Sequence, residues 1–261
     1  MSKIEKHAPG TICWVDLMTT DAEKAREFYK ALFDWTFAIS GPEAGHYALA
    51  QKDGDQVAGL GPKPPGAAFP PAWSVYFASD DVDATAAKVT EAGGKIVMPP
   101  MDVMEEGRMA VFADTAGAVF GVWQAKRHGG AKRINEPAAM CWHEVYAPDA
   151  KQAVDFYARV FALEPHKMEM KDGPPTEYYT LHKGPTTVGG VMQMTKEWAG
   201  VPPHWMAYFA VQDTDASVKR ITELGGKVAV PPFDTPYGRI AVVNDPTGAV
   251  FSIIKMAQSP A

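Results

Sequence analysis

The stretch CWVDLMTTDAEKAREFYKALF (Cys13–Phe33) returns at a constant offset of 128 as CWHEVYAPDAKQAVDFYARVF (Cys141–Phe161). Each copy opens on an alternating, β-rich run and passes into a helical pattern. Ala25, Phe28, Tyr29, Leu32 and Phe33 fall on one helix face, and Ala153, Phe156, Tyr157, Val160 and Phe161 match them. Thr20 with Glu23 reads as a capping box, and Asp21 adds negative charge at the helix start.

The duplication extends along the chain. PPAWSVYF (Pro70–Phe77) matches PPHWMAYF (Pro202–Phe209), GGKIVMPP (Gly93–Pro100) matches GGKVAVPP (Gly225–Pro232), and DTAGAVF (Asp114–Phe120) matches DPTGAVF (Asp245–Phe251). Within each half the strand-to-helix pattern occurs a second time, as WSVYFASDDVDATAAKV (Trp73–Val89) in the first. Gly93-Gly94 closes that helix, and Asp114-x-x-Gly117 is a hairpin turn. Three short strand candidates follow every helix. The expectation is an α+β chain of four βαβββ units, forming two paired-sheet domains. Residues 1–128 make the first and 138–261 the second. Residues 129–137 link them, within the Gly- and charge-rich RHGGAKRINEP (Arg127–Pro137).

Composition narrows the function classes. A length of 261 residues suits two domains. With 46% apolar residues, 21% charged residues and a net charge of −6, the chain has no basic stripe for nucleic acid or an anionic membrane. No apolar run is long enough to span a bilayer, so the expected location is cytoplasmic. The two cysteines, Cys13 and Cys141, occupy matching positions and read as reduced thiols on the core face.

The strand-Asp-(x)6-Phe-Tyr pattern, Asp-Val-Asp-Ala at Asp81–Ala84, Ala-Gly-Gly or Leu-Gly-Gly closing a helix, and Asp-Pro-x-Gly at Asp245–Gly248 resemble the vicinal oxygen chelate superfamily. That superfamily includes glyoxalases, bleomycin-resistance proteins and extradiol dioxygenases. The resemblance covers nearly the whole chain and is nearest to two-domain bacterial glyoxalase-like proteins. It implies two βαβββ units curving around a cleft, often with a divalent metal. The resemblance places one metal-binding His at Trp14 and Trp142, a second at Ser74 and Met206, and a Glu at Gly121 and Ser252. A metal needs three or four N, O or S donors, so the reading calls for no metal and no cofactor.

Strand alternation then selects what faces the clefts. In the first half these are Trp14, Asp16, Ser74, Tyr76 and Trp123. In the second they are Trp142, Glu144, His204, Met206 and Tyr208. Such walls suit a small aromatic or amphipathic ligand. Asp16 or Glu144, desolvated beside Trp, is a candidate general base, with His204 as a further acid/base group. The plainer reading is that the acids accept from Tyr hydroxyls and the Trp rings fill the sheet interior. Arg108 and Arg239 either hold a ligand carboxylate or pair with Asp114 and Asp245. His46, His128 and His182 are expected at the surface. The expected partner is a small molecule, not nucleic acid or membrane, with the protein a monomer or homodimer. Binding without turnover competes with metal-independent lyase, isomerase or hydrolase chemistry.

Overall fold

A computed structural model of the protein describes residues 3–169 and 177–257. The first half runs β1 (Ile12–Thr19), α1 (Ala22–Phe33), β2 (Thr36–Ile39), β3 (Ala48–Lys52) and β4 (Asp55–Pro62). It continues with β5 (Ala72–Ala78), α2 (Val82–Glu91), β6 (Lys95–Val103), β7 (Gly107–Ala113) and β8 (Val119–Ala125). The second half repeats the order with β9 (Met140–Ala147), α3 (Ala150–Phe161), β10 (Glu164–Met168), β11 (Tyr178–Lys183) and β12 (Thr186–Gln193). Its second unit is β13 (His204–Ala210), α4 (Thr214–Glu223), β14 (Lys227–Thr235), β15 (Gly238–Asn244) and β16 (Val250–Met256). Four βαβββ units are therefore present.

Each half contributes one eight-stranded sheet, ordered β2-β3-β4-β1-β5-β8-β7-β6 and β10-β11-β12-β9-β13-β16-β15-β14. The first strands of the two units in a half pair antiparallel at the sheet centre. Their register sets Trp14 opposite Tyr76 and Asp16 opposite Ser74. In the second sheet it sets Trp142 opposite Tyr208 and Glu144 opposite Met206. The parallel neighbours add Tyr76–Gly121 and Tyr208–Ser252.

Helix starts are fixed by aspartates. Asp21, Asp81, Asp149 and Asp213 each accept from the backbone N–H three residues on, satisfying one orphan donor. The N-cap of α1 is thus Asp21, not Thr20, because Thr20 lies one residue too early for its hydroxyl to serve the first turn.

The apolar faces of α1 and α3 reach across to the opposite half. Tyr29 donates to Asp245 Oδ2 at 3.2 Å and accepts from Trp73 Nε1 at 2.9 Å. Tyr157 donates to Asp114 Oδ2 at 2.9 Å and accepts from Trp205 Nε1 at 2.8 Å. The Phe–Tyr pair of the repeat is therefore a reciprocal clasp. Phe77 stacks on Phe161 at 4.1 Å, and Trp73 meets Phe209 edge-on at 4.9 Å. One continuous core spans both halves.

Asp114 and Asp245 also cap their own turns. Asp114 Oδ1 accepts from the N–H groups of Ala116, Gly117 and Ala118, each at 2.9 Å. These carboxylates have no room for the arginines. Arg108 instead pairs with Asp83 in the first turn of α2, and Arg239 with Asp215 in the first turn of α4. Both arginines are engaged in surface ion pairs with these aspartates, which corrects their pairing with Asp114 and Asp245.

Candidate functional site

Each sheet holds one buried carboxylate on the face opposite its helices. Asp16 and Glu144 are both 4% exposed. Beside each, on the parallel neighbour strand, stands a glycine: Gly59 opposite Asp16 and Gly190 opposite Glu144. A Cβ on either glycine collides with a tyrosine hydroxyl, that of Tyr47 or Tyr178. The glycines open the space through which these tyrosines reach the acids.

In the first cleft, Asp16 Oδ2 accepts from Tyr47 at 3.2 Å and Tyr76 at 3.1 Å. Trp14 Nε1 donates to the Tyr47 oxygen at 3.0 Å. Asp16 Oδ1 is buried without a partner. Burial pushes the Asp16 carboxyl up to about 7, against smaller lowering effects of the Tyr76 and Tyr47 hydrogen bonds. Ser74 lies directly across the ladder from Asp16, half-buried.

In the second cleft the longer Glu144 gathers four donors. Oε1 accepts from Tyr146 at 2.6 Å and from Tyr208. Oε2 accepts from Tyr178 at 3.0 Å and from Trp142 Nε1 at 3.4 Å. The Tyr146 and Tyr208 hydroxyls are 3.0 Å apart. Burial and the Glu144 charge hold the Tyr208 and Tyr146 hydroxyls well above the ordinary phenol range, so they stay protonated. The His204 ring meets Tyr146 at a tilt, 5.1 Å between centroids, and its Nδ1 donates to Pro202 O at 2.9 Å rather than to Glu144. Burial lowers the His204 pKa. Met206, Tyr146, Tyr208 and Ile254 form the apolar floor, with Trp142, Cys141 and Trp198 packed against it.

The two clefts differ at the mouth. His128 is not a surface residue: its ring meets Trp14 edge-on at 4.5 Å and Trp123 at 5.5 Å. The connecting segment crosses the first cleft here, and Trp14 and Cys13 beneath it are only 4% and 1% exposed. Trp142 and Cys141, at the same positions of the second half, are half-buried. Cys141 thus packs on the cleft floor, not toward the helices as simple alternation implies. The register of β9 with β13 shifts between Trp142 and Met140, and a bulge resets which side a residue faces. Burial pushes both thiols up to about 12, so neither is a thiolate nucleophile near neutrality. His46 is exposed, and His182 is half-buried against His166.

The family's metal positions do not fit a metal here. Trp14 and Trp142 have no donor lone pair for it. At Gly121 the Tyr76 ring occupies the volume any side chain needs. Among the described residues, no three His, Cys, Asp or Glu side chains converge.

The profile of the Glyoxalase/Bleomycin resistance protein/Dioxygenase superfamily matches residues 11–122 and 134–253. The chain belongs to that superfamily. The glyoxalase-superfamily chain is 41% identical over 262 residues to CFP32 of Mycobacterium bovis, which carries glyoxylase in its name, covering 98% of this chain and 99% of that one. It is 39% identical to the anthracycline biosynthesis protein DnrV of Streptomyces peucetius, over 97% and 96% of the two chains. The Mn(II)-bound glyoxalase from Novosphingobium aromaticivorans superposes with a TM-score of 0.65 at 17% identity, covering 95% of this chain and 82% of that one. The 2,3-dioxygenase LapB from Pseudomonas sp. KL28 does so with a TM-score of 0.65 at 12% identity, covering 100% and 95%. At these identities the two structures speak to the fold alone.

Four cleft residues are missing from the sequence reading, and three of them, Tyr47, Tyr178 and Trp198, lie beyond strand counting. Tyr47 precedes β3, and Tyr178 begins β11, on strands for which alternation gave no anchor. The readable signal was the glycine opposite each acid. Tyr146 shares parity with Trp142 and Glu144 and extends the same wall. Trp198 sits in a short 3-10 turn (Lys196–Trp198) and meets Tyr146 at 4.6 Å, a loop contact that periodicity does not reach.

Proposed function

We propose that this protein binds a small aromatic or amphipathic organic molecule in the second cleft, without the family's usual metal. The carrying observation is the Glu144 cluster: one buried carboxylate that orders three phenols beneath partly exposed Trp142 and Trp198. The aromatic faces give stacking surface, and the phenol oxygens keep lone pairs that accept from a ligand O–H or N–H. A surface groove of about 490 Å³ lined by Met194, Thr195, Trp198, Val201 and Pro203 borders Trp198, whose ring meets Tyr146 at 4.6 Å. The first cleft is the weaker candidate because the connecting segment covers it. The names of CFP32 and DnrV, a glyoxylase and an anthracycline biosynthesis protein, are in keeping with small-molecule chemistry.

A second reading is metal-independent lyase or isomerase chemistry with an acid as general base. The raised Asp16 carboxyl favours it, since a base near 7 is well poised. Asp16 lies under the segment that carries His128, and Glu144 already accepts four hydrogen bonds, so binding leads.

The test is a panel of small aromatic compounds titrated into metal-stripped protein, read by tryptophan fluorescence and product analysis. Binding predicts saturable quenching that Trp142→Phe reduces, that Glu144→Gln weakens at least about ten-fold, and that Trp14→Phe leaves intact. Saturable turnover in the same samples selects the catalytic reading. Quenching that survives Trp142→Phe unchanged rejects the second cleft.

A further inference from the structure

The connecting segment is pinned over the first cleft by bonds too numerous for a loose linker. Ala131 N donates to Cys13 O at 2.9 Å, Lys132 N to Gln56 O at 2.8 Å, and His128 N to Glu106 O at 3.0 Å. Trp123 Nε1 donates to His128 O at 2.8 Å. Arg133 Nε pairs with Asp55 at 2.8 Å, and Lys52 with Glu136 at 2.8 Å. The N-terminal segment straps it from outside, through Ile4 N to Lys132 O at 3.0 Å and His7 Nε2 to Ala131 O at 2.9 Å. Gly130, at φ +95°, passes where a Cβ would strike Cys13 O.

What this strap delivers is an imidazole. The His128 ring enters edge-on between Trp14 and Trp123, and its Nδ1 sits 2.9 Å from Gln56 Oε1. An amide oxygen is an acceptor, so Nδ1 carries the proton and Nε2 holds the lone pair. Nε2 is buried without a partner. The ring therefore sits in its neutral form among aromatic walls with one directed acceptor, as a bound ligand would. Burial, with the neighbouring Lys132 and His7 charges, lowers its pKa to about 4, which agrees with a ring held neutral.

We propose that the first cleft is a built site for a neutral five-membered N–H heteroaromatic ring, which the chain fills in cis with its own His128. The site is distinct from the Glu144 cleft and does not depend on the function proposed for it. Deleting the His128 side chain should vacate a pocket that selects free imidazole. Recognition rests on Gln56 Oε1 for the N–H and on Trp14 and Trp123 for the ring. A ring of equal size without an N–H loses the first contact and keeps the second.

The experiment uses His128→Ala with imidazole and thiazole as probes. Saturating imidazole should raise the melting temperature of His128→Ala by about 2–4 °C and shift its tryptophan emission, while leaving the wild type unmoved. Thiazole should bind at least about five-fold more weakly, the worth of one hydrogen bond. Adding Gln56→Leu to His128→Ala should abolish that preference. A folded His128→Ala protein that ignores imidazole, or takes thiazole equally, overturns the proposal. If His128→Ala does not fold, the wild type decides. Nitrogen-resolved NMR should show His128 with its proton on Nδ1 and protected from solvent exchange. A freely exchanging His128 ring overturns the site.

Discussion

Asp16 and Glu144 occupy the same place in the repeat, yet their surroundings set different chemistry. Asp16 has two donors on one oxygen and none on the other, while Glu144 has two on each. The folded Asp16 carboxyl lies near 7 and its unfolded counterpart near 3.8. Between these values the folded state keeps a proton that the unfolded chain has lost. The stability associated with that proton is full below about 3.8 and is lost as pH rises through about 7. His143, buried on the other face of β9, has the opposite sign. Burial lowers it from 6.5 to about 3, so the unfolded chain binds a proton first and stability falls as pH drops below about 6.5. The excess unfolding free energy of wild type over Asp16→Asn should therefore decline between about pH 4 and 7.5 and level off above. That of wild type over His143→Val, which restores the Val15 type, should rise from about pH 4 to 6.5. Denaturant unfolding across this range checks both, and a pH-independent difference contradicts the corresponding burial. The acids themselves were readable from alternation. Tyr47 and Tyr178 were not, because they enter from a strand whose register depends on a turn.

At the scale of elements, the repeated helix motif does more than bury a face. Periodicity showed that Phe28, Tyr29 and Phe33 share one stripe, but a stripe does not name its partner. The partner proves to be the other half, through Tyr29–Asp245 and Tyr157–Asp114. Tyr29→Phe removes the donor for Asp245 Oδ2 and the acceptor for Trp73 Nε1, both buried. Each of Tyr29→Phe and Tyr157→Phe should cost about 1–3 kcal/mol of unfolding free energy, measured by urea titration. A loss under about 0.5 kcal/mol means water or repacking replaces the clasp. The misread cysteine follows from the same limit: alternation counts correctly only until a bulge, and both Cys-Trp steps lie at one. The arginines illustrate another. Arg108 and Arg239 lie near Asp114 and Asp245 in sequence but bind aspartates of helix first turns, where charge also complements the helix end.

At the scale of the whole molecule, two duplicated sheets share one core and have unequal clefts. The shared core predicts a single cooperative thermal transition, with calorimetric and van't Hoff enthalpies in agreement; two resolved transitions contradict it. Four units and their pairing were legible because duplication writes the pattern repeatedly. The inequality of the clefts was not. Arg127–Pro137 has the composition of an exposed linker, and only three-dimensional contacts show His128 turned inward. The second cleft, ordered by Glu144, is the proposed binding site. The most direct test is to label the tryptophans with 5-fluorotryptophan, assign the resonances by single Trp→Phe variants, and titrate the metal-stripped protein with the aromatic panel. A binding compound should shift Trp142 and Trp198 in a saturable manner and leave Trp14 and Trp123 in place. Shifts confined to Trp14 and Trp123 would contradict it.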